Sequence, residues 1–135
     1  MALASDLMDM GVPPLQALRL ATAGNGPIAA TAAANATSSG AYAIKGTQYI
    51  TYFTTGSTTN SAVLPAPGGD TGPLIGDDFT VHNNSSTSLN LYTSAGVTMN
   101  VLGSVVSSTN AQVIAQYHTL TCWVYNSVTY IGAYT

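Results

Sequence analysis

The amino-acid sequence predicts a mainly β protein, an antiparallel β-sandwich of jelly-roll type preceded by a short N-terminal helical segment and an extended arm. From residue 42 onward, short runs of β-branched and aromatic residues alternate with clusters of Gly, Pro, Asn and Ser, a spacing typical of sandwiches and barrels. The chain has 135 residues and is 46% hydrophobic, which is enough to bury the core of one domain. We therefore expect one β-sandwich domain over residues 42–135.

The N-terminal segment, residues 1–24, is predicted to be helical. Ser5 is a favourable N-cap, and Gly11 followed by Pro13-Pro14 separates two short helices. Isolated helices of this length are marginal in water, so their apolar residues need a partner surface. We expect this segment to dock on another protein through Leu7, Met10, Leu15 and Leu18. Residues 25–41, rich in Ala, Thr, Ser and Asn, are expected to form an extended linker or arm.

Short strands are predicted at residues 47–55, 63–64, 79–82, 88–91, 97–101, 111–117, 119–125 and 128–134. The strands at 47–55 and 119–125 carry apolar residues on both faces. A strand with one face in water should be polar on that face. These two strands are either central strands covered by a loop or strands whose second face contacts another subunit. The scarcity of charge favours the second interpretation. We therefore expect a homotrimer whose contacts include Tyr52, Trp123 and Tyr125.

Charged residues are scarce in this chain. It has two basic residues, five Asp and no Glu, so 5% of it is charged where about a quarter is usual. Ser, Thr and Asn supply the polarity instead, and they are buried at lower cost than ions. This composition suits a building block that packs against copies of itself or against a larger surface. Two cations cannot form a phosphate-binding patch, and we expect neither nucleic acid nor a membrane as partner.

The sequence contains few candidates for catalysis. It lacks a nucleophile elbow and a phosphate-binding glycine loop. Cys122 could in principle pair with His82 or His118, but it alternates with apolar residues and is expected to be a small core side chain. A single Cys also suits a chain made in a reducing cytosol. We expect no enzymatic activity and no cofactor.

Asp70, Asp77 and Asp78 lie around Gly-rich turns and are candidate ligands of a calcium ion. Oxygen ligands suit calcium, yet the spacing does not match an EF-hand loop and no Glu supplies a bidentate ligand. Asp residues in turns commonly bond nearby backbone instead. His82 and His118 lack the spacing of metal ligands. We expect no metal site.

The chain resembles a group of small structural proteins of tailed bacteriophages. The resemblance rests on the head from Leu3 to Leu18 and on a series of short motifs in the β region. These are Leu64-Pro65, Gly76-Asp77, Val81-x-Asn83, Leu89-x-Leu91-Tyr92, Gly96-Val97-Thr98-Met99-Asn100 and the late aromatic Trp123. The chain departs from the pattern after Tyr92, where that group often has prolines, and it extends further at its C-terminus.

The resemblance implies a virion component made in the host cytoplasm and placed on the capsid surface. The role that this resemblance implies first is that of a head decoration or cement protein, which bridges major capsid proteins. Two other roles stay open at this point. One is a host-binding, carbohydrate-binding module on a head fibre or tail. The other is a tail, baseplate or connector subunit.

Overall fold

A computed structural model of the chain describes Gly11 and residues 28–31, 38–55, 60–69 and 72–134. The predicted helical segment and its docking residues Leu7, Met10, Leu15 and Leu18 lie outside these described residues. Within them the chain is built of β-strands. They are β1 Ile28–Thr31, β2 Tyr42–Ala43, β3 Ile50–Thr55, β4 Asn60–Leu64, β5 Asp78–Asn83, β6 Leu89–Thr93, β7 Thr98–Val101, β8 Ser104–Val106, β9 Gln112–Ile114, β10 Thr119–Asn126 and β11 Thr129–Tyr134.

The strands form two sheets. One has seven strands in the order β1-β3-β5-β10-β11-β7-β8, and the other has four in the order β2-β4-β6-β9. Parallel pairs outnumber antiparallel ones within the described strands: β1–β3, β3–β5, β2–β4, β4–β6 and β7–β11 are parallel. The mainly β prediction is confirmed. Both sheets are mixed, so the expectation of an antiparallel fold is wrong for this pairing.

Neighbouring strands are often parallel because of the path that the chain takes between the two sheets. From β1 to β6, each strand lies in the opposite sheet from the one before it. When the chain leaves one sheet, runs back along the other and returns, its next strand has the same direction as the first. Hairpins, which produce antiparallel neighbours, occur at β7–β8 and β10–β11. The Gly- and Asn-rich segments mark where strands end, but not which sheet the chain enters next.

Both sheets contribute to one hydrophobic core. The four-stranded sheet supplies Leu64, Leu89, Leu91 and Ile114, and the seven-stranded sheet supplies Phe53, Phe79, Val81, Met99, Leu120 and Tyr130, all at most 1% exposed. The ring of Tyr42 in β2 meets Phe53 in β3 edge-on at 5.5 Å. Tyr130 donates its hydroxyl hydrogen bond to the carbonyl of Pro65 at 2.6 Å. Each large side chain buried here contributes about 1.5–3 kcal/mol to folding.

Some predicted boundaries differ from the observed strands. The segment predicted as an arm contains β1, which pairs with β3 and buries Ala30 in the core. The strand predicted at 111–117 is limited to Gln112–Ile114, because residues 115–118 form a turn closed by a bond from His118 N–H to Ala115 O. The short edge strand β8 was not predicted, since its first residue follows a glycine in a turn signal.

The strand directions give the molecule two chemically different ends. Strands β3, β5, β7 and β11 all begin at one end, where Lys45, Asp77 and Asp78 lie; we call it the charged end. These three are the charged residues of the described part of the chain. The opposite end consists of the turns at 84–88, 102–103 and 115–118. We call it the uncharged end, because its described residues include no Lys, Arg, Asp or Glu.

Candidate functional site: the outer face of the seven-stranded sheet

The seven-stranded sheet turns one face to the core and the other away from it; we call the second the outer face. In β10 the inward residues Leu120, Cys122 and Val124 are at most 1% exposed. Their neighbours Trp123 and Tyr125 are 38% and 60% exposed. A strand alternates its side chains between faces, so Trp123 belongs to the outer face. Tyr125 lies at a shift of register between Val124 and Asn126, and its exposure places it outside the core on the same side.

The strand register places Tyr52 on the same face. Tyr52 in β3 pairs with His82 in β5, and His82 pairs with Thr119 in β10. Thr119 and Trp123 are four residues apart on one strand, which is about 13 Å. The structure therefore brings the three predicted contact residues Tyr52, Trp123 and Tyr125 onto one surface.

Further apolar residues extend this surface. Ile50 of β3 is 41% exposed and Val105 of β8 is 52% exposed. Ile131 of β11 lies directly between Trp123 and Asn100 in the cross-strand register. The prediction from the sequence did not include Ile131, although alternation within the predicted strand 128–134 could have identified it. It also missed Val105, which lies in the unpredicted strand β8.

The polar groups of the outer face are mostly uncharged. Thr80 and Thr121 pair across β5 and β10, and the His82 Nδ1 lies 2.7 Å from the Thr119 hydroxyl. Asp78, opposite Trp123, is the carboxylate of this face among the described residues. Hydroxyl groups can be covered by a partner at much lower desolvation cost than ions. The outer face can therefore be buried with little loss of hydration energy.

The sheet edges at β8 and β9 carry side-chain caps. Asn100 and Val105 form the second pair from the β7–β8 turn, so the Val105 carbonyl points away from β7. Asn110 Nδ2 donates to this carbonyl at 2.6 Å. At the other sheet's edge, Gln112 Nε2 donates to the Val113 carbonyl at 3.0 Å. The Asn110 amide occupies an acceptor that another strand would use, so the β8 edge is blunted against strand addition.

The structure does not bring Cys122 together with a histidine. Cys122 points into the core and His82 lies on the outer face of the same sheet. His118 is exposed in the turn before β10, where its ring stacks on Tyr134. Burial, with a smaller effect of Asp78, raises the pKa of the Cys122 thiol to about 12. This thiol stays protonated at neutral pH and is a weak nucleophile.

The acidic residues at the charged end organise a loop. Asp77 Oδ2 accepts a bond from Leu74 N–H at 2.8 Å and lies 3.5 Å from the Tyr49 hydroxyl. The Asp77 N–H bonds back to the Leu74 carbonyl at 3.0 Å. Asp70 lies outside the described residues. In the part of the chain that the structure describes, no three His, Cys, Asp or Glu side chains cluster as metal ligands would.

Comparison of the chain with models of known families, with characterised proteins and with solved structures found no match. Within the described residues, no helix has the length and apolar character needed to cross a membrane. The outer face, the two ends and the composition of the chain are therefore the features that bear on its function.

Proposed function

We propose that this protein is a structural virion protein, a capsid decoration or cement protein of a bacteriophage head. In this proposal its two sheets form a jelly-roll-like sandwich, and three copies associate on the capsid surface and bridge major capsid proteins. The observation that carries the proposal is the outer face, where Trp123, Tyr125, Ile50 and Val105 are exposed on a surface almost without charge. The motifs shared with small phage structural proteins support the same role.

The energetics favour association through this face. Burial of apolar surface contributes about 25 cal/mol per Å², and aromatic residues are enriched where charges are depleted at interface cores. The capped edge at β8 favours contact through a face over the addition of a strand there. A trimer that touches several capsid subunits also gains effective affinity from multivalency. Such a protein would strengthen a shell mechanically, by adding buried area across subunit boundaries.

The proposal assigns different contacts to different parts of the chain. The outer face, with Tyr52, Trp123 and Tyr125, forms the contact between copies. The N-terminal segment docks on the major capsid protein through Leu7, Met10, Leu15 and Leu18. Replacement of Leu15 and Leu18 by Ser in the full chain should therefore lower head binding and leave the oligomer intact.

The alternative roles are less well supported by the described residues. Carbohydrate-binding modules commonly expose aromatic residues at loop tips. Of the three strongly exposed aromatic residues described here, Trp123 and Tyr125 lie on a strand and only Tyr117 lies in a turn. A tail, baseplate or connector subunit would assemble into rings of higher order than three, so the oligomeric state separates that role from the proposed one.

Light scattering and sedimentation of the purified full chain test the proposal. We expect a species of three times 13.7 kDa at micromolar concentration. Trp123→Ser together with Tyr125→Ser should yield folded monomers, because the contact loses its aromatic centre. Val113→Ser is the matched control, since Val113 is 49% exposed on the other sheet. A wild-type monomer at high micromolar concentration would contradict the homotrimer.

The second experiment places the protein on the particle. Heads stripped of this protein should bind the wild-type chain at regular positions on the outer shell, visible by electron microscopy. Density at the tail or baseplate instead would support the alternative subunit roles. Absence of binding to heads would contradict the decoration role, whatever the oligomeric state.

A further inference from the structure

Two bulky residues hold a backbone conformation that normally belongs to glycine. Leu102 has a φ of 49° and Tyr117 a φ of 62°, and they are the non-glycine residues with positive φ in the described part of the chain. In this left-handed region the Cβ atom crowds the backbone, so branched and aromatic residues rarely occupy it. Such residues persist where the surrounding structure holds the backbone in place, and they cluster at functional sites.

The chain itself shows how the same turn is usually built. Tyr117 is the third residue of the turn 115–118, which is closed by the bond from His118 N–H to Ala115 O. Four other turns are closed by the same type of bond, and three of them have a positive-φ glycine in the third position: Gly40, Gly76 and Gly96. The fourth, at 45–48, has Thr47 there, without a positive φ. Glycine is the unstrained choice at this position. Among the turns with a positive φ at this position, Tyr117 is the exception to glycine.

Leu102 departs from the usual chemistry in the same way. It is the first residue of the two-residue turn between β7 and β8, followed by Gly103 with a φ of 84°. Turns of this kind with positive φ at both positions favour Asn-Gly. Leu102 is 80% exposed, so its side chain adds almost no packing to the fold. Tyr117 is 62% exposed.

Leu102 and Tyr117 both lie at the uncharged end. The turn that carries Tyr117 is held by several contacts with the rest of the fold. The Tyr117 N–H bonds to the Asn83 carbonyl at 2.6 Å, and the His118 ring stacks on Tyr134 at 5.7 Å. The buried Asn83 side chain donates to the carbonyls of Thr87 and Ile114. The exposed Tyr117 side chain is therefore carried on a pre-organised support, which lowers the entropy cost of binding.

We propose that Leu102 and Tyr117 are the anchors of a second docking surface, which binds an uncharged, partly apolar patch of the capsid shell protein. This rests on the proposed function and adds to it: the protein attaches at two points, through its N-terminal segment and through its uncharged end. Leu102 carries no hydrogen-bonding group beyond its backbone, so it fits an apolar protein pocket better than a sugar. The described charges lie at the opposite end, which favours a partner without complementary charge.

The strain makes the proposal testable, because stability and docking should change in opposite directions. Leu102→Asn creates an Asn-Gly turn, and Tyr117→Gly restores the residue used in the other turns with a positive φ at this position. We expect both full-length variants to unfold at a denaturant concentration no lower than the wild type. Their affinity for stripped heads should fall at least tenfold. Ile75→Gly is the matched control, since Ile75 is 70% exposed at the charged end with ordinary φ.

The possible results separate this inference from the function on which it rests. Wild-type affinity for heads in both variants, with the wild type binding normally, would overturn the second docking surface alone. A wild-type chain that does not bind heads would overturn both proposals. A loss of affinity in Ile75→Gly equal to that in the variants would also overturn the inference, because the effect would not be specific to this end. Loss of binding to an array of neutral glycans, with heads still decorated, would assign the turns to sugar recognition instead.

Discussion

The inner and outer faces of the seven-stranded sheet are built from the same strands but differ in exposure and in residue type. In β10, Leu120 and Cys122 are fully buried, whereas Trp123 and Tyr125 further along the same strand are exposed. In most soluble proteins the outward residues of such a strand are charged or small and polar. Here they are aromatic, aliphatic or hydroxyl-bearing. The inner face therefore supplies the core that stabilises the fold, whereas the outer face keeps its aromatic residues exposed in the single chain.

The largest expected effect is a difference in the free energy of unfolding between a substitution on the inner face and one on the outer face. Leu120→Ala leaves a cavity in the shared core and should lower the free energy of unfolding by about 2–5 kcal/mol. Thr121→Ala, one residue further along on the outer face, should change it by less than about 0.5 kcal/mol. Urea denaturation followed by circular dichroism measures both. Equal losses in the two variants would show that the outer face also supports the fold of the single chain.

The second prediction concerns the inner face at alkaline pH. The pKa of the Cys122 thiol is raised to about 12 from an ordinary value near 9. Below pH 9 both folded and unfolded chains keep the proton. Between pH 9 and 12 only the unfolded chain loses it, so the free energy of unfolding should fall by about 1.4 kcal/mol per pH unit. Burial also raises the pKa of Tyr130, which acts in the same direction.

The control for this pH dependence is Cys122→Ala. It lacks the thiol, so its stability should decline less steeply than that of the wild type over the same range. The remaining decline reports Tyr130 and other groups. Identical slopes in the two proteins would mean that the thiol ionises as readily in the folded chain as in the unfolded one, and that it is not sealed in the core.

The smallest expected effect tests whether association is confined to the faces. Asn110→Ala removes the amide that bonds the Val105 carbonyl and should lower the free energy of unfolding by about 1 kcal/mol. It also opens the β8 edge, so we expect slow formation of larger species by strand addition. Light scattering over days measures this. Asn84→Ala, in the exposed turn after β5, is the control and should not aggregate.

The sequence predicted the strands with strong alternation and missed those without it. The strand predicted at 119–125 is observed as Thr119–Asn126, and 128–134 is observed as Thr129–Tyr134. Strand β1 was not predicted, because the small residues of its Ala- and Thr-rich segment show no clear alternation of apolar and polar side chains. Strand β8 has three residues, too few for a pattern. The pairing of β3 with β5 could not be predicted, since it depends on the passage of the chain through the other sheet.

The properties of the outer face also divide into those that the sequence determined and those that only the tertiary structure decided. The sequence alone determined that the chain is mainly β, nearly uncharged, and apolar on both sides of two strands, because composition and alternation are local properties. Only the tertiary structure decided that Tyr52, Trp123 and Tyr125 share one face, since this depends on the register of three strands. It also decided that Leu102 and Tyr117 lie in strained turns at one end, because a residue's φ is set by the strands that its turn must join.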